Sequence, residues 1–291
     1  MNERLPQWLK RGIIDTEKTK FVRKILKNHN LNTVCDSARC PNKAECYAKN
    51  TATFMILGKN CTRSCQFCSV EDNKPETVNH NEPLNVAQAV QKLGLAYAVI
   101  TSVTRDDLSD GGAGYFAKTI KEIRNLTPDV KIEVLTPDFL GKHEDIDKVI
   151  EAKPSVFNHN IETVKRLYPV ARPQADYERT LRFIRYVKEK APEIYTKSGF
   201  MVGLGETKEE MAELLQDLKI HNCDIVTIGQ YIQPTKKHLK VEKYYTPEEF
   251  EELKELALKT GIKHPISAPL ARSSYKAAEV LHSSCSISIC K

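Results

Sequence analysis

No run of apolar residues in this chain is long enough to cross a bilayer. The longest lies near Ala96–Ile100, against the about 20 that a membrane helix needs. The N-terminus, Met-Asn-Glu-Arg-Leu-Pro-Gln-Trp-Leu-Lys-Arg, is charged at once. It lacks the apolar core of a secretory signal and the Ser-rich, acidic-poor composition of a transit arm. Low-complexity stretches, internal repeats and strongly polar tails are missing as well. Charge of one sign is scarce: the net value is +6 over 291 residues, with both signs interspersed. That balance describes a solvated surface and argues for neither a nucleic acid nor an acidic partner. The dinucleotide fingerprint is absent too, since neither Gly111-Gly-Ala-Gly114 nor Gly203-Leu-Gly205 fits it at a first βα turn. The expectation is a cytoplasmic protein with no membrane and no nucleic acid among its partners, working as a monomer.

Cysteine, by contrast, is plentiful. There are nine, an odd number in a large chain without a signal, which favours metal or redox chemistry over a disulfide framework. Six fall between Cys35 and Cys68 in two triplets. The remaining three, Cys223, Cys285 and Cys290, are scattered and read as ordinary thiols.

The rest of the pattern is an alternation of strand and helix. Residues 1–52 lack it, apart from a polar helix over Thr16–Asn30. From Thr53 the predicted strands are Thr53–Gly58, Tyr97–Ser102, Lys131–Leu135, Ser155–Asn158, Gly199–Gly203 and Asp224–Gly229. Between them lie helices: one capped by Asn85 and ending at Gly94, then Tyr115–Leu126, Glu144–Ala152 and Asp176–Lys190. Two capping boxes, at Thr207-Lys-Glu-Glu210 and Thr246-Pro-Glu-Glu249, open the last two helices, and Gly261 suits the final stop. Six strand–helix units predict an α/β fold with a parallel sheet covered by helices. The expected architecture is a partial (βα)6 TIM-type barrel over 53–261. An N-terminal extension, 1–52, precedes it and a C-terminal segment, 262–291, follows, frayed from Ser283 to Lys291.

Cys61, Cys65 and Cys68 are spaced Cys-x3-Cys-x2-Cys in the loop after the first of these strands, the functional face of such barrels. Three thiolates this close can hold three irons of a cubane cluster, leaving the fourth iron open to a small molecule. Phe67 places an aromatic ring beside that open position. Zinc is the alternative and would ask for a fourth ligand, with His80 the nearest downstream. A small electron carrier is another, though it has no need of a barrel. Cys35, Cys40 and Cys46 form a second triplet, Cys-x4-Cys-x5-Cys, which alone fits metal ligands or free thiols.

The motif at Cys61 after the first strand of a six-unit barrel resembles the radical S-adenosylmethionine superfamily. The pairing of the two triplets resembles the lipoyl synthase family within it. The likeness continues through Asn32-Thr-Val-Cys-Asp-Ser-Ala-Arg-Cys-Pro-Asn42, where the family often has Glu in place of Asp36, and through Thr101-Ser-Val-Thr-Arg-Asp-Asp-Leu108 and Asp110-Gly-Gly-Ala113. It extends to Phe157-Asn-His-Asn-Ile-Glu-Thr-Val164, Arg172-Pro-Gln-Ala-Asp-Tyr177, Lys197-Ser-Gly-Phe-Met-Val-Gly-Leu-Gly-Glu206, Gly229-Gln-Tyr-Ile-Gln-Pro-Thr235 and Arg272-Ser-Ser-Tyr275.

This resemblance implies two [4Fe–4S] clusters and S-adenosylmethionine as cofactors. One cluster sits on Cys61, Cys65 and Cys68 and generates a deoxyadenosyl radical. The other, on Cys35, Cys40 and Cys46, is completed by a serine of the Arg-Ser-Ser-Tyr segment. Ser274 is the expected ligand, with Ser273 in reserve. The family inserts two sulfur atoms at carbons six and eight of an octanoyl chain, and the second cluster is the consumed sulfur source. The implied partners are octanoylated carrier domains, in 2-oxoacid dehydrogenase subunits or the glycine-cleavage carrier protein, and an electron donor of flavodoxin or ferredoxin type. By analogy with the barrel, Thr101, Ser102, Asn158, Asn160 and Lys197 grip S-adenosylmethionine, while Gly203 and Gly205 let backbone approach a ligand; each also reads as a cap or turn residue. His159 is expected to be a hydrogen-bonding neighbour. The competing readings are a tRNA methylthiotransferase or a biotin synthase, and, outside enzymes, an iron–sulfur carrier or scaffold. The first needs additional domains for which this chain has no room. Biotin synthase carries its extra ligands inside the barrel, and a scaffold leaves Arg-Ser-Ser-Tyr unexplained.

Overall fold

The structure is a computed structural model, and it describes residues 5–10, 16–49 and 52–274. Its centre is one eight-stranded sheet in which the strands follow chain order. They are β1 (Asn32–Thr33), β2 (Thr53–Ile56), β3 (Tyr97–Ser102), β4 (Lys131–Leu135), β5 (Val156–Asn158), β6 (Tyr195–Val202), β7 (Ile225–Gln230) and β8 (His264–Ala268). β1 runs antiparallel to β2, and every later pair is parallel. Sequential parallel strands demand a crossover each time, and helices supply it. The sheet is an open, partial TIM-type barrel.

The helices are α1 (Glu17–Asn28), α2 (Val34–Ser37), α3 (Lys43–Ala48), α4 (Glu82–Leu93), α5 (Ala113–Leu126), α6 (His143–Glu151), α7 (Tyr168–Ala171), α8 (Tyr177–Lys190), α9 (Lys208–Ile220) and α10 (Pro247–Thr260). Each crossover helix presents an apolar stripe to the sheet, for example Met211, Leu214, Leu215 and Leu218 of α9. β2 and β7 are buried along their whole length, as expected of parallel strands covered by helices. Both capping boxes form, Asp176 caps α8, and Gly261 ends α10 in the left-handed region at φ 93°.

Three differences from the sequence reading go beyond a shift of one or two residues at an element's end. α4 starts at Glu82 rather than after Asn85 because the Glu82 carboxylate accepts the Leu57 amide of the β2 exit (2.7 Å). β6 begins four residues before Gly199. Its first half is polar, but each group finds a partner: Thr196 donates to the Asn222 carbonyl, Lys197 to Glu133, and Ser198 accepts the Ile161 amide. β8 adds a seventh parallel strand inside 262–291, where the mixed His-Pro-Ile-Ser-Ala has no apolar alternation. Ser283–Lys291 lies outside the described residues.

Candidate active site

The chain leaves β2 through Leu57, a left-handed residue at φ 68°. The Glu82 carboxylate holds its amide and Arg105 its carbonyl. The cysteine loop that follows is closed on itself at Glu71 and clamped from the exits of β3, β5 and β7. Cys61 N–H donates to the Glu71 carbonyl (2.7 Å), Thr62 bonds Thr104, Gln66 N–H donates to the Ala171 carbonyl, and Leu239 N–H donates to the Gln66 carbonyl. His238 Nε2 donates to the Cys68 carbonyl (2.8 Å), which leaves Nδ1 to accept the Thr235 hydroxyl. Inside the loop Arg63 is buried. Its guanidinium forks onto Asp106 (2.7 and 2.9 Å) and also reaches Asp138 (2.7 Å), whose other oxygen takes Arg179. Burial would raise Asp138, but Arg63, His159 and Arg179 outweigh it and hold the carboxyl far below the usual range.

The loop gathers its three thiols. Cys61 Sγ accepts the amides of Arg63 (3.4 Å) and Thr104 (3.3 Å), the type of bond that tunes a cluster's potential. Burial pushes Cys68 up to about 12, with Cys65 and Cys61 adding like charge. Burial raises Cys65 too, against the Arg172 guanidinium beside it. Thiols so buried and so close ionise together only with compensating positive charge among them, which is what an iron cluster brings.

The strand ends carry the polar groups the sequence singled out, with unequal freedom. Thr101 spends its hydroxyl on the Leu135 carbonyl (2.9 Å). Lys197 is the third residue of β6, and it is paired to both oxygens of Glu133 (2.9 and 3.1 Å) with each side chain 1% exposed. Gly203, at φ 103°, faces protein: a side chain there would meet the Gln230 amide and the Lys243 carbonyl. Ser102 Oγ, Asn158 Oδ1 and Asn160 Oδ1 are buried without a hydrogen-bond partner among the described residues. Orphaned acceptors and donors at strand ends fit a polar ligand such as S-adenosylmethionine. Phe67 is half-buried in the cysteine loop.

The other triplet lines a small pocket formed by Cys35, Cys40, Asn42, Cys46, Ala52, Thr53, Arg272 and Ser274. The short helices α2 and α3 carry Cys35 and Cys46, and Cys40 lies in the connection between them. Thr33 caps α2, and Asp36 ties it to α3 by accepting Thr33 (2.6 Å), Tyr47 (2.8 Å) and Lys43 (2.9 Å). Burial opposes ionisation of Asp36, but these bonds outweigh it and keep the carboxyl low. Burial pushes Cys35 up to about 11 and Cys46 to about 12. Among the described residues no three His, Cys, Asp or Glu side chains close around one metal ion. The three thiols and Ser274 surround a volume instead, a donor set that suits a cubane cluster. Ser274 Oγ accepts the Thr53 hydroxyl (2.9 Å), whereas Ser273 Oγ accepts the Asn160 amide (2.7 Å). The two loops touch where Ser69 donates to the Ser37 carbonyl.

Several residues of the site carried no sequence assignment. Arg63, Arg172, Glu162, Asn42 and His238 lie within or beside quoted motifs, yet their roles depend on which loops meet. His80 bonds Tyr115 and takes no part in the cysteine loop. His159 is a buried hydrogen-bonding residue, donating from Nδ1 to the Thr136 carbonyl (2.8 Å). Cys223 is buried and donates to the Ile225 carbonyl. Cys285, Cys290 and Tyr275 lie outside the described residues.

The pattern of the Radical SAM superfamily matches residues 55–218. A lipoyl synthase of Caldanaerobacter subterraneus subsp. tengcongensis is 54% identical over 95% of this chain and 97% of its own. Another, of Caldicellulosiruptor saccharolyticus, is 53% identical over 96% and 98%. Among solved structures, SuiB of Streptococcus suis bound to S-adenosylmethionine superposes with a TM-score of 0.56. It is 15% identical and covers 75% of this chain and 51% of that one, a likeness of fold alone.

Proposed function

Because this chain belongs to the lipoyl synthase family of the radical SAM superfamily, we propose that it inserts sulfur at carbons six and eight of a protein-bound octanoyl chain, drawing the sulfur from a second cluster. Lipoyl synthesis with S-adenosylmethionine and a [4Fe–4S] cluster follows from the family. The finer reading rests on one observation: Ser274 lines the same pocket as Cys35, Cys40 and Cys46, while Cys61, Cys65 and Cys68 share a separate loop.

When bound, the groups at the two sites supply one-electron cleavage of S-adenosylmethionine and transferable sulfide, the difficult chemistry of the reaction. The chain does the rest. Cys61, Cys65 and Cys68 hold three irons, and Arg63 with Asp106 and Asp138 fixes their loop. The amides of Arg63 and Thr104 point at the Cys61 sulfur. Ser102, Asn158 and Asn160 offer unspent polar atoms to the ligand of the open iron. Cys35, Cys40, Cys46 and Ser274 hold the other cluster. A serine oxygen is a harder and more weakly retained ligand for such iron than a thiolate, which suits a cluster that must come apart.

The partners on this reading are octanoylated carrier domains and a flavodoxin- or ferredoxin-type donor, met by a monomer in the cytoplasm. Among the described residues no helix is long and apolar enough to cross a membrane.

The test is anaerobic reconstitution followed by turnover. About eight irons per chain are expected, from two cubane clusters, and an octanoyl-lysyl peptide gains two sulfurs by mass. A protein with intact clusters that adds no sulfur overturns the reading. So does an iron content of about four that ignores replacement of Cys35, Cys40 and Cys46 by Ala.

A further inference from the structure

The segment after β8 crosses the top of the barrel under tight control. A side chain at Gly229 would strike the Ala271 carbonyl, so only glycine lets the segment pass. Gln230 N–H donates to the Pro269 carbonyl (3.2 Å), and Asn42 Nδ2 donates to the Leu270 carbonyl (2.7 Å). The two serines that follow then part company. Ser274 lines the pocket of Cys35, Cys40 and Cys46. Ser273 turns to Asn160.

Asn160 is where the second site begins. Its Nδ2 donates to Ser273 Oγ (2.7 Å) and to Glu162 Oε1 (3.0 Å), which uses both of its hydrogens. Its main-chain carbonyl accepts Arg172 (3.0 Å), and both Arg172 and Glu162 act electrostatically on Cys65. Glu162 stands in the left-handed region at φ 68°, an unfavourable conformation for a side-chain-bearing residue, held by backbone bonds to Gly199 and Met201. One amide group therefore joins the surroundings of Cys65 to the residue next to Ser274.

We infer that Ser273 is a positioning residue: through Asn160 it couples occupancy of the S-adenosylmethionine site to the hold of Ser274 on the other cluster. The inference rests on the two-cluster reading above. A ligand that donates to the unpartnered Asn160 Oδ1 re-aims the amide whose two hydrogens hold Ser273 and Glu162, so its arrival shifts both bonds. Ser274, one residue on, then has Thr53 as its remaining side-chain anchor among the described residues. Such a linkage is reciprocal, so the state of the second cluster alters S-adenosylmethionine affinity by the same factor.

The test needs no turnover. Wild-type, Ser273→Ala and Ser273→Thr proteins are reconstituted without reductant. Loss of cluster absorbance to a ferrous-iron chelator is then timed with and without S-adenosylmethionine. In wild type the ligand changes the rate of the labile phase by about fivefold, the size of one hydrogen bond. Ser273→Ala abolishes that response and Ser273→Thr restores it. In a wild-type comparison independent of those variants, S-adenosylmethionine affinity differs before and after the labile iron is removed. An equal response in wild type and Ser273→Ala overturns the inference. So does the absence of any response in wild type carrying about eight irons, and in both cases the two-cluster reading stands. An iron content of about four, insensitive to the first triplet, overturns that reading instead.

Discussion

Thr53 and Ser274 stand 221 positions apart and share a hydrogen bond of 2.9 Å, with the Thr53 hydroxyl donating. Thr53 is the first residue of the strand that leads into the cysteine loop, so this bond sets the segment after β8 against the start of the barrel. A serine bound to iron carries negative charge, and a hydroxyl donated to it is a charge-assisted bond.

Ser274→Ala is expected to separate radical generation from sulfur transfer. Deoxyadenosine continues to form while sulfur-bearing product falls by about 100-fold. Thr53→Val keeps the ligand and removes its donor, and should weaken transfer by about tenfold. Product and deoxyadenosine are quantified together. Equal loss of both in Ser274→Ala would mean that the serine serves the radical site rather than the second cluster.

Arg63 is the internal brace of the other loop. Replacing it with Met leaves Asp138 buried with Arg179 as its remaining ion-pair partner and Asp106 unpaired. Removing one member of a buried charge cluster costs about 3 to 5 kcal/mol. Arg63→Met should therefore lower the denaturant midpoint and lose the irons of Cys61, Cys65 and Cys68 while sparing those of the first triplet. Mössbauer or iron analysis in a background lacking the first triplet measures this. Full retention of the radical-site irons would remove Arg63 from the loop's support.

Lys197 separates a structural role from a binding one. Its ammonium bonds both oxygens of Glu133, and Tyr97 and Asn158 bond the same carboxylate. Lys197→Met alone strands a buried carboxylate and should cost about 3 kcal/mol or more. The double change with Glu133→Gln should recover much of that, because the uncompensated charge goes with it while Asn158 and Tyr97 keep an acceptor. S-adenosylmethionine affinity, by calorimetry, should be unchanged in the double variant. A tenfold loss of affinity there would restore Lys197 to the ligand site.

What could be read from the chain, and what could not, divides along range. The triplets announce themselves by spacing, and the helices by caps that need only three residues, as at Thr207 and Thr246. The first half of β6 was hidden because Thr196, Lys197 and Ser198 look solvated until Asn222, Glu133 and Ile161 are beside them. β8 was hidden because an edge strand packed on α10 needs little apolar alternation. Ser273 and Ser274 are the same residue in adjacent positions, and only their distant neighbours, Asn160 and Thr53, tell them apart. Arg63 sits inside the cysteine motif, yet its purpose depends on Asp106 and Asp138 arriving from two other loops.

Glu82 makes the pH dependence of stability testable. Burial raises its carboxyl from 4.5 to about 7, against the lowering effect of the Leu57 amide. The folded protein thus prefers the protonated acid, whereas the unfolded chain ionises near 4.5. The stabilising preference is complete below the unfolded value and is lost as pH rises through about 7. Glu82→Gln keeps an oxygen to accept the Leu57 amide and removes the ionisation. It should match wild type near the acid end of the window and exceed it by on the order of 2 kcal/mol at alkaline pH. Urea midpoints of the two proteins across that range give the difference directly. A gap that does not widen with pH would mean that Glu82 stays ionised in the fold and that the Leu57 amide outweighs its burial.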